Sequence, residues 1–180
     1  MIQRGCVGVA LVTLGVVFFA GLAEAQNAVN IGGRKSVTGL FSVVSSNPDE
    51  GDSLDTLLLG GNVAYTTLDA RWELAASLTI AGFFSDDFEA AFYVPSIEAR
   101  INSDPLGAEE NIIVYAGAVA GAGIVRSDDF DDDLGVFGPK IGAEFYFSPR
   151  TAVQIQDRLL VDTESGVSNT FSVGFKLLLD

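Results

Sequence analysis

The sequence predicts an all-β chain: an eight-stranded antiparallel up-and-down transmembrane β-barrel over residues 26–180, behind an N-terminal signal peptide over residues 1–25. Three observations carry that expectation. Eight segments alternate apolar and polar residues with a period of two, the mark of strands with one apolar face. A basic, then apolar, then small-residue segment opens the chain. Acids gather in every second connection between segments, as strands that reverse direction each time would arrange them.

The leader comes first. Arg4 makes its start basic, residues 5–22 are rich in Val, Leu and Phe, and Ala23-Glu24-Ala25 is a small-x-small cleavage site. Cleavage is favoured over a retained helix because the small residues follow directly and no basic stop-transfer cluster does. The mature chain then starts at Gln26. Cys6 leaves with the leader, and the sequence has no His. Disulfides, thiolate chemistry and His-based metal or catalytic sites are thereby excluded from the mature chain. Arg4 and Glu24 leave together, so the formal net charge stays at −14, which argues against nucleic acid as a partner.

The strands are expected near 35–45, 56–67, 70–84, 90–101, 111–125, 134–147, 151–161 and 169–179. In the third, Trp72, Leu74, Ala76, Leu78 and Ile80 oppose Arg71, Glu73, Ser77 and Thr79. The fourth sets Tyr93, Pro95, Ile97, Ala99 and Ile101 against Ser96, Glu98 and Arg100. In the fifth an alanine-rich face opposes Tyr115, Gly117, Val119, Gly121 and Gly123. The sixth sets Ile141, Ala143, Phe145 and Phe147 against Lys140, Gly142, Glu144 and Tyr146. In the seventh Val153, Ile155, Leu159 and Val161 oppose Gln154, Gln156 and Arg158, with Asp157 on the apolar parity. The eighth sets Phe171, Val173, Phe175, Leu177 and Leu179 against Thr170, Ser172, Gly174 and Lys176.

Two connections, 66–69 and 148–150, are tight, and 102–110 is longer. The other four, 45–55, 85–89, 127–133 and 162–168, fall at the opposite end of an up-and-down barrel. They are rich in acids, including Asp128, Asp129, Asp131, Asp132 and Asp133, and contain no Lys or Arg. Aromatic residues mark strand ends. Tyr65, Trp72, Tyr115, Phe145 and Phe147 sit by the short connections, as an interfacial belt would; Phe83, Phe84, Phe88 and Phe92 sit by the acidic ones.

Alternation alone does not say which face is inside. A soluble lipocalin-like barrel binding an apolar ligand buries the apolar face; a membrane barrel does the reverse. The polar face carries both signs at mid-strand: Glu73, Glu98, Arg100, Lys140, Glu144, Arg158 and Lys176. Opposite charges can pair in a narrow lumen, where either alone would be costly. This favours the membrane barrel.

The run from Val114 to Gly123, with its Tyr-x-Gly strand, resembles the corresponding strand of the OmpA-like eight-stranded outer-membrane β-barrel superfamily. The segment from Lys140 to Arg158 is similar to its penultimate hairpin: Gly-x-Glu-aromatic, a tight turn, then a strand with polar inward residues. The resemblance spans 35–180. It implies a bacterial outer-membrane barrel, lipid as its surroundings and the barrel-assembly machinery as a partner during insertion. It implies no particular activity. The chain ends on Leu177-Leu178-Leu179-Asp180, where such barrels commonly end on an aromatic residue.

The expected role is structural or surface-interacting, with acidic external loops and no cofactor or enzymatic activity. The Asp128–Asp133 cluster is a candidate for divalent cations, although it lacks an EF-hand's Gly and terminal Glu. Lumen carboxylates such as Glu98 and Glu144 are expected to pair with cations rather than serve as an acid/base couple. Some small outer-membrane barrels are lipid A deacylases that use Ser and His, and without His that mechanism is closed to this chain. Eight strands leave an interior that side chains nearly fill, so a general pore is not expected; a narrow, low-conductance channel is the remaining alternative.

Overall fold

The computed structural model describes residues 29–46, 54–85, 88–127, 131–164 and 166–180. Eight antiparallel strands close into one barrel in sequence order. They are β1 (Lys35–Ser46), β2 (Leu54–Thr66), β3 (Trp72–Ser85), β4 (Phe88–Asn102), β5 (Ile112–Ser127), β6 (Asp131–Tyr146), β7 (Thr151–Asp162) and β8 (Val167–Leu179). β1 pairs with both β2 and β8, so the sheet has no free edge. The expected signal peptide lies outside the described residues.

Register sets the tilt. From Ala81 on β3, paired neighbours run through Leu58, Ser42, Ser172, Gln156, Gly142, Tyr115 and Asn102. Asn102 then hydrogen-bonds to the carbonyl of Arg71, which immediately precedes β3 and lies ten residues below the start along the chain. A stagger of ten over eight strands inclines them within the range of about 35–45° found in transmembrane barrels. Each step from β3 towards β2 by this route therefore lowers the level by about one and a quarter residues, and each step from β3 towards β4 raises it by as much.

Parity places the side chains. Leu74, Val63, Ile97 and Ile141 point outward and are 58–70% exposed, whereas Glu144 is fully buried and Arg100 and Lys176 are 2% exposed. A large exposed apolar face around a charged interior is the inverse of a soluble barrel and is stable only against hydrocarbon. The lipocalin-like alternative, with an apolar chamber inside, does not describe this lumen.

The ladder is open beside two prolines. Between β4 and β5 the pairing lapses around Pro95, and between β6 and β7 around Pro139. Proline has no N–H to donate. Register is unchanged across both gaps.

The short connections are built by side chains. In the β2–β3 turn the Thr67 hydroxyl donates to Asp69 at 2.5 Å and accepts from the Trp72 amide at 3.1 Å, while the Arg71 amide donates to Asp69 at 3.2 Å. The hydroxyl and amide donors hold the exposed Asp69 carboxyl below its ordinary pKa. In the β6–β7 turn Ser148 Oγ accepts from the amides of Arg150 and Thr151 at 3.2 and 3.1 Å. Both turns use polar side chains as backbone acceptors, the pattern that favours these residues in loops.

Candidate functional site: the ion-paired lumen

The interior charges form two clusters. In the lower one, near the short turns, Glu73 and Glu144 face Arg100 and Lys176. Arg100 Nη2 lies 2.9 Å from Glu73 and 2.5 Å from Glu144; Lys176 Nζ lies 2.6 and 3.0 Å from the same carboxylates. The Tyr146 hydroxyl donates to Glu144 at 2.8 Å and Thr66 donates to Glu73 at 3.1 Å. Two anions and two cations thus share one hydrogen-bonded ring, and every carboxylate has donors beyond its ion pairs. Engaged carboxylates are what a buried ion pair requires, and the group left over is the buried Arg100 Nε, which has no partner among the described residues.

The upper cluster is built on Glu98. It pairs with Lys140, and with Arg158 Nη2 at 2.8 Å, and accepts from Ser77 at 2.7 Å. Ser77 also shares a 2.6 Å hydrogen bond with Ser96. Among the described residues, one anion here answers two cations.

Tyr115 joins the clusters. The Arg100 guanidinium lies 4.0 Å above the centre of its ring, within cation–π range. Gln154 donates to its hydroxyl at 2.7 Å. With the Gln156 amide oriented to suit its neighbours, its oxygen accepts from Arg158 Nε and Nη2 at 2.9 and 2.8 Å, and its nitrogen donates to Tyr115 at 3.2 Å. The expectation that Tyr115 belongs to an outer aromatic belt is therefore corrected: it is buried in the lumen, 2% exposed. The physical reason is Gly142, directly opposite in register, where a Cβ would stand 2.5 Å from the Tyr115 ring carbon bearing the hydroxyl. The gap that the glycine leaves is filled by the phenol.

Among the described residues, an apolar layer bounds the charged lumen at each level. Towards the short turns, Val29 and Ile31 fold against Ile113, Tyr146, Ala152 and Leu178 as an apolar plug. Towards the acidic end, Leu58, Ala81, Val94 and Val136 are buried on the inward parity. The charged layers lie between these two apolar ones, with their carboxylates engaged by cations. As an acid/base pair they are poorly placed, because each is already committed to buried partners.

The other predicted positions fall as follows. Tyr65 and Trp72 are 45% and 47% exposed beside the first short turn, and Phe145 and Phe147 are half-buried at the third. Phe92 takes the inward parity, its ring beside Gly123, rather than an outer belt. Phe83, Phe84 and Phe88 lie among side chains outside the description. So do Asp131 and Asp132, while Asp128 and Asp129 lie outside the described residues altogether; Asp133 is exposed on β6. Among the described residues no group of three or more potential ligands is gathered for a metal ion. Asp157 faces outward and half-buried, in unbroken register between Ile141 and Phe171.

No protein-family model matches the sequence, and no curated protein does. Solved structures do. The fold matches outer membrane protein H (OprH) from P. aeruginosa with a TM-score of 0.65 at 14% identity, covering 81% of this chain and 99% of that one. Neisserial surface protein A matches at 0.61 and 14% identity, covering 80% and 95%. Ail, the attachment invasion locus protein of Yersinia pestis, matches at 0.57 and 13%, covering 82% and 99%. The chain thus has the fold of these small barrels over almost their whole lengths.

Proposed function

We propose that this chain is a small, closed barrel of the bacterial outer membrane, delivered by its leader and inserted by the barrel-assembly machinery. It serves there as a structural or surface-interaction protein. One observation carries the reading: the polarity is inverted, with an apolar outer face around a lumen whose seven interior charges are engaged in salt bridges. A lumen stoppered by its own ion pairs is a rigid support rather than a conduit. What it supports is the set of acidic connections, which the strand order brings together on one side. Those connections face outward from the cell, and their chemistry sets what the protein meets. Two of the structural neighbours are named for a place at the surface or for attachment, which accords with a surface role.

Fractionation with gel mobility before and after boiling tests the membrane reading. Boiling-dependent migration in the membrane fraction is expected; clean solubility without detergent overturns it. Protease shaving of intact cells tests the orientation. Cleavage within 45–55 and 127–133 with the short turns spared is expected, and the reverse pattern refutes it.

A further inference from the structure

Asp157 is the anomaly of the outer face. Its level follows from register. The path Trp72, Ile101, Ala116, Ile141, Asp157, Phe171 continues through Val43 to Leu57, so it begins at the turn end of β3 and finishes near the acidic end of β2. Asp157 stands about halfway up this climb, five residues' rise above Trp72 out of a full turn of about ten. A band of that height is about 25 Å tall. The carboxyl therefore meets the middle of the hydrocarbon layer.

Around it the surface is apolar. Ile141 and Phe171 flank it across the strands and are 60% and 50% exposed; Ile155 and Leu159 flank it along β7. Among the described residues no hydrogen bond or ion pair reaches it. A carboxyl in hydrocarbon without a partner is costly, and a second carboxyl is a complete partner, because two such groups satisfy each other as a hydrogen-bonded pair joined through carboxyl protons.

We propose that the β7 face is a self-association surface, in which Asp157 of one copy hydrogen-bonds to Asp157 of a second across a two-fold axis along the membrane normal. This rests on the membrane reading above. The occupant is chosen by depth and charge. Copies inserted in the same direction bring residues of equal level together, and a two-fold interface places each residue on its axis against itself. Between the level of Trp72 and that of Tyr93, the described outward-facing side chains offer no cation, and their other polar group, Asn169, lies about three residues higher. Within this protein, what can answer Asp157 at its own depth is Asp157.

The test uses chain with Cys6→Ser, reconstituted alone in phosphatidylcholine vesicles, carrying a single cysteine at Ile155→Cys on β7 or at Leu78→Cys on β3. Oxidative cross-linking is expected to join copies through position 155 and not through position 78. Adding Asp157→Leu lowers the yield at position 155 by about tenfold, the scale of one hydrogen bond between membrane segments. Asp157→Asn retains most of it, since amides also pair with themselves. Equal cross-linking at both positions, a monomeric parent chain, or undiminished cross-linking in Asp157→Leu overturns the proposal. Boiling-dependent mobility of each variant separates the two readings: folded, inserted monomers refute the pairing alone, whereas chain that stays in the aqueous phase refutes the membrane reading and the pairing with it.

Discussion

Glu98→Gln is the most exacting probe of the lumen. Glu98 is 4% exposed and is the carboxylate that Lys140 and Arg158 share. These two cations stand directly opposite each other in the β6–β7 register, so removing the anion leaves like charges side by side. Breaking a buried pair from one side costs about 3–5 kcal/mol. Arg158 keeps the Gln156 oxygen, but Lys140 keeps no carboxylate among the described residues, which sets the expectation near the upper end, about 4 kcal/mol. With a urea slope of about 2 kcal/mol per molar, the unfolding midpoint falls by about 2 M. Glu144→Gln is milder, about 3 kcal/mol, because Arg100 and Lys176 both retain Glu73. The assay is equilibrium urea unfolding in lipid vesicles, read by tryptophan fluorescence from Trp72. The double variant Glu98→Gln/Lys140→Met removes the stranded cation and recovers at least half of the loss. A midpoint shift below about 0.5 M for Glu98→Gln, or a double variant as unstable as the sum of its singles, refutes the claim that these pairs act as a buried, coupled network.

Three further expectations follow from the same geometry. In planar bilayers the barrel shows no large, stable conductance, because ion pairs and two apolar layers fill its height; a steady open level of porin size refutes the closed lumen. Gly142→Leu pushes a side chain into both the Tyr115 ring and the Ile155 carbonyl and lowers stability by about 1–3 kcal/mol, measured by urea unfolding; a variant as stable as the parent refutes the close approach at this glycine. Asp69, whose carboxyl is held below its ordinary pKa chiefly by the Thr67 hydroxyl, titrates by NMR below a model aspartate, and Thr67→Val moves it back up. Because the folded value is the lower one, the linked stability is present above the ordinary carboxylate pKa and is lost as pH falls through the folded value; a titration unmoved by Thr67→Val refutes the cause.

Much of the barrel was legible because parity is a local property. Trp72 to Ile80 outward and Glu73 to Ser77 inward could be read from the third segment alone, since a strand alternates whatever its neighbours do. Strand ends were legible to within a few residues, and less so towards the acidic connections, where β6 begins at Asp131 rather than near 134. Tyr115 shows how nearness to a turn misleads. Its parity with Gly117 and Gly121 already pointed inward; its nearness to a turn suggested a belt, and parity prevailed because Gly142 lies opposite. That facing residue belongs to another strand, so no single segment contained the signal.

What parity does not give is level, and level decides the pairs. Lys176 shares its face with Glu73, Glu98 and Glu144, and sequence offers no choice among them. The ten-residue stagger does. It brings Glu73, Glu144 and Lys176 to within about half a residue of one height, although they lie on β3, β6 and β8, and lifts Glu98 about three residues above them. Lys176 accordingly bonds Glu73 and Glu144. The same constraint works in reverse. A one-residue slip of β8 would turn Lys176 into the hydrocarbon, and a two-residue slip would keep it inside but carry it away from both carboxylates and part Ser172 from its 2.7 Å hydrogen bond to Ser42. Closure of the barrel is thus held in register from within, by a cation with two fixed anions at one height.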